Sequence, residues 1–495
     1  MHLYNELAKS INSHFERNAF FINDVYYTYA ELAQTISNIG QYIESSVDKS
    51  EKNIGLVAHG DLETYASILA LWFAGKAYVP ISPDAPAYRN ESILNQIGIK
   101  TIIDSSEVPL LPNYQIIESK KLPKSNRNIN VEQTAFDHLS FILFTSGSTG
   151  IPKGVPISIA NLTALLNSFF DEGFNFDEND KFLQMFELSF DMCILMFVIP
   201  LLKGACIYTV PKNTIKFSYI HELLEDHKLT VTSMTPSLLL YLRPFFSELN
   251  LESVKLSILG GEALPLDLTE EWSKVVPNAS IVNNYGPTEN TVCCSNYIFN
   301  RNGKNKSYNG LLAIGKPMSR NEIIVVDENN RLLGCDEKGE LCLGGDQLTS
   351  GYWNNPEKNK EVFFYINYLG KQTKFYRTGD LGYIDNDGDI MYIGRIDFQA
   401  KIMGYRVELS EVEFYAKEAL NKFNAVAIPF NNKFGDTVLG LAVESENCDT
   451  KELINYMKKK VPNYMVPSKI ILLKELPLSI NGKIDRKTLG KLFNS

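Results

Sequence analysis

Residues 140–154 read SFILFTSGSTGIPKG, an apolar run of strand character that enters a turn of consecutive Ser, Thr and Gly residues. Such a turn presents backbone amides and hydroxyls to one concave spot, and its glycines permit the close approach and positive φ angles that an anion cradle requires. Lys153 adds a mobile cation. The motif is not of the G-x-x-x-x-G-K-[ST] kind, because Lys153 is followed by Gly154. Taken alone, it leaves open a solvated Ser/Gly surface turn.

Upstream, residues 61–74 (DLETYASILALWFA) have the apolar spacing of a helix, and residues 77–81 (AYVPI) and 100–104 (KTIID) read as strands. Downstream, residues 231–234 and 254–259 are strand-like, the second ending at Gly260 and Gly261. Strand–helix alternation of this kind predicts an α/β fold with parallel sheets covered by helices. After about residue 320 the texture changes to short strands broken by Asn, Asp and Gly (NEIIVVDENNRLL, GELCLGG, LGYIDNDGDIMYIG), which predicts a β-rich subdomain. From residue 398 a smaller α+β unit is expected, with helices over 409–420 and 451–460 and strands over 425–429 and 438–443. Asp449 and Thr450 would cap the second helix. The expected division is a large domain over 1–396 and a small mobile domain over 397–495, joined by a short hinge.

A chain of 495 residues exceeds what one hydrophobic core usually supports. Its 44% hydrophobic and 21% charged residues are ordinary for a globular protein and exclude a mainly disordered chain. A net charge of −10 argues against a general nucleic-acid binder. The amino terminus lacks a signal-peptide core, and the longest apolar run, residues 192–202 (MCILMFVIPLL), is too short to span a bilayer and holds a proline. No membrane insertion is expected. Seven scattered cysteines with no CxxC spacing favour a cytoplasmic location over a disulfide framework.

Five further blocks follow the Gly-rich turn in order: residues 283–289 (NNYGPTE), 339–352 (GELCLGGDQLTSGY), 376–381 (YRTGDL), 394–408 (GRIDFQAKIMGYRVE) and 481–486 (NGKIDR). Together they resemble the adenylate-forming superfamily of acyl-CoA synthetases, luciferases and adenylation domains of nonribosomal peptide synthetases, over nearly the whole chain. The resemblance implies ATP and magnesium (Mg2+) as cofactors. It casts Thr145, Ser146, Gly147, Ser148, Thr149, Gly150 and Lys153 as the loop that holds the β- and γ-phosphates. Asn284, Tyr285, Gly286 and Thr288 would bind the nucleotide, with Tyr285 stacked on adenine and Thr288 on the α-phosphate. Glu289 would hold Mg2+, a hard cation that prefers carboxylate and phosphate oxygens. Asp380 would accept the ribose hydroxyls, supported by Arg395. Lys483 is the implied catalytic lysine, neutralising charge as a substrate carboxylate attacks the α-phosphate. Asp397 corresponds to the family hinge. Rotation about it would withdraw Lys483 and bring residues 403–405 to the site. An ordinary linker aspartate is the alternative for Asp397.

Phe190 and Asp191 resemble the block that lines the acid pocket. In amino-acid-activating members an aspartate here pairs with the substrate ammonium; a buried, unpaired carboxylate makes sense mainly if a cation arrives. A helix N-cap is the plainer reading of Asp191. By resemblance the pocket would be completed by Met192, Leu195, Ser233, Ile258, Gly260, Asn284, Val292 and Cys293. It carries no second charge, and Gly260 leaves space, so the expected substrate is a neutral, hydrophobic or aromatic amino acid. Leu195 stands where a tryptophan is frequent in the family.

The implied reaction forms an aminoacyl-AMP and transfers it to a thiol. Because the sequence ends soon after residues 481–486, that thiol is expected on a separate phosphopantetheinylated carrier protein, in trans, or on coenzyme A. Residues 394–414 are also similar to D-alanine–carrier protein ligases, although those tend to have Cys-Gly-Glu where this chain has Gly260, Gly261 and Glu262. D-Alanine ligation is the first alternative and acyl- or aryl-CoA ligation the second. A non-catalytic protein that kept the fold is disfavoured, since Lys153, Glu289, Asp380, Arg395 and Lys483 are all present.

Overall fold

A computed structural model describes residues 3–147, 150–212, 214–396, 399–420, 424–445, 447–477 and 484–494. Its architecture is α/β, as the alternation predicts. A six-stranded sheet runs Gln115–Glu118, Thr101–Asp104, Asn53–Val57, Ala77–Ile81, Leu139–Thr145, Lys153–Ser158. It is parallel except for the last pair, where Leu139–Thr145 turns back antiparallel through the Gly-rich loop, Phe144 opposite Gly154. The centre of a nine-stranded sheet is also parallel: Ser280–Tyr285, Leu256–Gly260, Val231–Met234, Lys181–Gln184, Cys206–Thr209 and Asn18–Ile22.

Helices fill the space between these sheets. Leu62–Phe73 begins at Asp61, whose side chain accepts from the Thr64 amide, and it is buried on nearly every side. The apolar run that is too short for a membrane becomes the helix Cys193–Lys203, apolar all round because protein surrounds it. Pro200 near its end forgoes one amide donor, and Gly204 ends it in a left-handed conformation at φ 72°. One core joins Tyr78 and Phe141 of the first sheet to Phe182 and Ile207 of the second. Trp72 sits wholly within it and donates its indole N–H to the Ser140 carbonyl at 2.8 Å. Truncating such a residue to alanine costs about 3–5 kcal/mol.

The β-rich region is an antiparallel sheet of Asn321–Val326, Gly339–Gly345, Lys371–Ile384, Phe363–Tyr368 and Ile390–Arg395. Beyond it, Gln399–Ile402 and Tyr405–Glu408 form a hairpin. A three-stranded sheet of Ala425–Asn431, Thr437–Glu444 and Lys469–Leu473 follows. The helix Leu409–Leu420 has the predicted bounds, whereas the next runs Thr450–Lys458, two residues short of expectation at its end. Asp449 alone caps it, accepting from the Lys451 and Glu452 amides. Among the described residues no helix is long and apolar enough to cross a membrane, and no cluster of metal-ligating side chains stands out.

Candidate active site

In open parallel sheets, ligands settle in the crevice beyond the carboxyl ends of the strands. A cavity of about 510 Å³ lies there. Its wall takes Met185 and Phe186 after Lys181–Gln184, Thr235 after Val231–Met234, Gly261 after Leu256–Gly260, and Gly286–Thr288 after Ser280–Tyr285. Thr145 and Ser146 reach it from the end of Leu139–Thr145 in the other sheet.

The Gly-rich loop is held in the shape its sequence suggests. A Cβ on Gly147 would lie 1.9 Å from the Ile151 carbonyl oxygen, so only glycine fits, and Gly150 has φ 80°. The Thr145 hydroxyl is buried without a partner, an orphaned donor beside the loop. Lys153 is buried, its Nζ 3.1 Å from Glu408, and burial pushes its ammonium below the usual lysine range against the pull of that carboxylate. Ser148 and Thr149 lie outside the described residues, as do Asp397 and Lys483.

At the other end, Tyr285 donates its hydroxyl to Asp380 at 2.6 Å, and Arg395 reaches the second Asp380 oxygen at 2.9 Å. Each carboxylate oxygen keeps a further lone pair, so Asp380 remains able to accept from a diol. Glu289 has no exposed surface. Tyr352 donates to one of its oxygens at 2.5 Å and Arg406 to the other at 2.7 Å. Burial pushes the Glu289 carboxyl up, but the Arg406 and Lys153 charges and the Tyr352 hydroxyl outweigh it and hold it at about 2. A divalent cation fits this oxygen ligand, since Glu289 is already ionised in the interior with Arg406 standing in as the positive charge.

The backbone after Glu289 is strained. Thr291 and Val292, both β-branched, have φ of 52° and 72°. Gln347, fully buried, restrains them by donating Nε2 to the carbonyls of Asn290, Thr291 and Cys293, at 2.6 Å to the last. Gly286 packs so tightly on this turn that a Cβ would come within 2.5 Å of the Cys293 Cα.

Asp191 keeps some open surface, yet it is desolvated: that surface faces the cavity. Burial pushes its carboxyl up to about 6, against a hydrogen bond from Thr288. No ion pair reaches it among the described residues. Of the nine residues expected to line the acid pocket, Asp191 and Met192 form cavity wall. Leu195, Ser233, Ile258, Gly260, Asn284, Val292 and Cys293 stand behind it, buried. At Gly260 the neighbouring strand leaves no room: a Cβ there would lie 2.8 Å from the Asn284 carbonyl oxygen, with the Met192 methyl next to it at 3.5 Å. Asn284, also expected at the nucleotide, donates to Asn296 at 2.6 Å instead of facing the cavity.

The hairpin of residues 399–408 brings Lys401, Met403, Gly404, Tyr405 and Arg406 to the cavity wall. Tyr405 stacks on Tyr464 with ring centroids 4.0 Å apart and meets Phe190 edge-on. The sequence brings residues 403–405 to the site through rotation of the small domain, but gives no role to Arg406, Glu408 and Gln347, which lie inside its motif blocks, or to Glu411 and Arg89, which lie outside them. Only pairing across the fold reveals what these five do.

A family model described as AMP-binding enzyme matches residues 7–353. Gramicidin S synthase 1 of Brevibacillus brevis is 32% identical over 473 residues, covering 93% of this chain and 42% of its own length. Tyrocidine synthase 1 of Brevibacillus parabrevis is 31% identical with the same coverage. The chain thus spans about two fifths of the length of these curated relatives. Among solved structures, the Vibrio cholerae adenylation domain AlmE, in complex with glycyl-adenosine-5'-phosphate, superposes with a TM-score of 0.86 at 23% identity, covering 99% of this chain and 97% of its own. That likeness establishes the fold.

Proposed function

The chain belongs to the AMP-binding enzyme family, and on that premise we propose that it activates an amino acid with ATP as the aminoacyl-AMP, releasing pyrophosphate, and then transfers it to a thiol. The observation that carries the amino-acid reading is Asp191, a desolvated carboxylate at the cavity wall that forms no ion pair among the described residues, although the charge of Lys401, also on that wall, reaches it. Plain fatty or aryl acids bring no ammonium to satisfy it.

In this reading the Gly-rich loop and Lys153 hold the β- and γ-phosphates, Tyr285 faces adenine, Asp380 and Arg395 hold the ribose, and Thr288 contacts the α-phosphate. Glu289 is the magnesium ligand; the bound cation neutralises phosphate charge. Residues 1–396 form the large domain, and residues 397–495 a small one that carries Lys483 and turns about Asp397. The substrate carboxylate attacks the α-phosphorus while Lys483 offsets the meeting of two anions, and pyrophosphate leaves. In the second step the thiol sulfur attacks the acyl carbon and AMP departs. Phe217, Leu238 and Tyr241 line the cavity, and the phosphopantetheine arm of a carrier protein would enter along this apolar wall.

The side chain selected is neutral. The Asn284 carbonyl and the Met192 methyl leave no free space at Gly260, which favours a small one and gives weight to the alanine-type ligase as the second reading. Pyrophosphate exchange screened across D- and L-amino acids tests both. Exchange dependent on one neutral amino acid is expected, and Lys483→Ala should lower it at least about a hundredfold while ATP still binds. Exchange with no amino acid, or with carboxylic acids lacking the ammonium, overturns the reading.

A further inference from the structure

The cavity crosses five adjacent strand ends of the nine-stranded sheet in order. Gly286–Thr288 follow Ser280–Tyr285, Gly261 follows Leu256–Gly260, and Thr235 follows Val231–Met234. Met185 and Phe186 then follow Lys181–Gln184, and Lys216 and Phe217 lie beyond Cys206–Thr209. Neighbouring strands are about 4.8 Å apart, so the fifth end is about 19 Å from the first and about 14 Å from that of Leu256–Gly260. The residues read as nucleotide-binding stand at the first end. The fifth presents Lys216.

Lys216 is a costly residue at this place. It opens the helix Lys216–Asp226, where the macrodipole disfavours a cation. Burial pushes its ammonium below the usual lysine range, and the Glu187 carboxylate is the charge that pulls it back. Glu187 is engaged elsewhere, accepting from Tyr405 at 3.1 Å with one oxygen and from Ser189 at 3.4 Å with the other. No hydrogen bond or ion pair reaches the Lys216 ammonium among the described residues. The guanidinium groups of the same wall, Arg395 and Arg406, are by contrast paired with Asp380 and Glu289. A desolvated cation without a partner, on the wall of a cavity, marks a place for an anion.

The anions of the reaction read above are the phosphates of ATP, the acid itself and the phosphate ester of the thiol-bearing arm. The first two belong at the other end, with the Gly-rich loop, Thr288 and Asp191. In the arm about thirteen bonds separate sulfur from phosphorus; at about 3.5 Å for every three bonds, the extended reach of a peptide residue, they span about 15 Å. A sulfur at the acyl carbon, between the α-phosphate and the ammonium, therefore carries its phosphate to the strand end where Lys216 stands. Phe217 and Tyr241, their rings stacked at 5.7 Å, flank the uncharged length between. We propose that Lys216 binds the phosphate ester of the pantetheine arm and so selects phosphorylated thiols over unphosphorylated ones. The assignment rests on the thiol-transfer reading above and deepens it. The same ester occurs on a carrier protein and in coenzyme A.

The test measures thiol transfer on the full chain, from the aminoacyl-AMP of the amino acid that supports exchange. The acceptors are 4′-phosphopantetheine, coenzyme A and unphosphorylated pantetheine. In the unaltered protein the KM for 4′-phosphopantetheine should lie about tenfold below that for pantetheine, the factor that a hydrogen bond to a charged group contributes. Lys216→Met keeps the apolar stem and removes the charge. It should raise the KM for the phosphorylated acceptors about tenfold and move that for pantetheine less than about twofold, whereas Lys216→Arg, which keeps the charge, should stay within about threefold of the unaltered protein. A loss on either phosphorylated acceptor supports the assignment, and the larger of the two tells a carrier-type arm from coenzyme A. An equal loss on pantetheine overturns it. Equal KM for 4′-phosphopantetheine and pantetheine in the unaltered protein overturns it too, whether or not the variants fold. If the unaltered protein supports no amino-acid-dependent exchange, or transfers to no thiol, the reading of function fails first and the role of Lys216 falls with it.

Discussion

Asp191 shows how one side chain's surroundings set a measurable property. Its open surface looks into the cavity, away from bulk solvent, so the charged form is poorly solvated and the carboxyl is pushed up to about 6. An arriving ammonium stabilises the ionised form, so below that value binding must first expel a proton. The KM for the amino acid in pyrophosphate exchange should therefore climb about tenfold per pH unit as pH falls through about 6, and be flat above it. Asp191→Asn should raise KM at neutral pH and remove this slope. A wild-type KM with no inflection between acid and neutral pH would count against an ammonium partner. The place of Asp191 on the cavity wall was legible from the resemblance of residues 190 and 191 to the block that lines the acid pocket. The absence of room at Gly260 was not, because it depends on strand register, which sets the Asn284 carbonyl against it, and on the placing of the Met192 methyl.

At the scale of elements, the hairpin Gln399–Ile402 and Tyr405–Glu408 is built for close approach. Its two-residue turn has both central residues at positive φ, 51° at Met403 and 86° at Gly404, the geometry of a type I′ turn. A Cβ on Gly404 would come within 2.8 Å of the Thr235 Cγ2. Thr235 cannot easily turn away, because its hydroxyl caps the helix Pro236–Leu242. Gly404→Ala should unseat the hairpin while leaving the large sheets untouched. Amino-acid-dependent exchange should stay within about threefold of wild type while transfer to a thiol falls at least about tenfold, a split that separates the two half-reactions. Parallel losses in both would mean general damage. The parallel sheets and the helix Leu409–Leu420 were readable because local periodicity governs them. The ion pairs of this region were not: Arg406, Glu408 and Glu411 are 117, 255 and 322 residues from Glu289, Lys153 and Arg89, and along the chain they look like an ordinary charged face. The strained pair Thr291–Val292 was equally hidden, since Gln347 restrains it from 54 to 57 residues away.

Across the whole molecule, the C-terminal sheet and helices touch the large sheets at several points beyond those ion pairs. Tyr405 donates to Glu187 at 3.1 Å, Lys460 lies over the Tyr88 ring, and Tyr241 donates to Asp436 at 2.5 Å. The last contact joins a helix that lines the cavity to the turn between two strands of the C-terminal sheet. It therefore stabilises this arrangement without involving the Gly-rich loop. Tyr241→Phe keeps the ring and removes the tie; a hydrogen bond to a charged group contributes about 1.5–3 kcal/mol, enough to shift a two-state balance by at least about tenfold. If thiol transfer proceeds from this arrangement and adenylation from another, the variant should lose transfer rate and gain or hold exchange rate, with the opposite signs measured on one preparation. Loss of exchange equal to the loss of transfer would place both steps in the same arrangement, and the division of labour between the two parts of the chain would have to be abandoned.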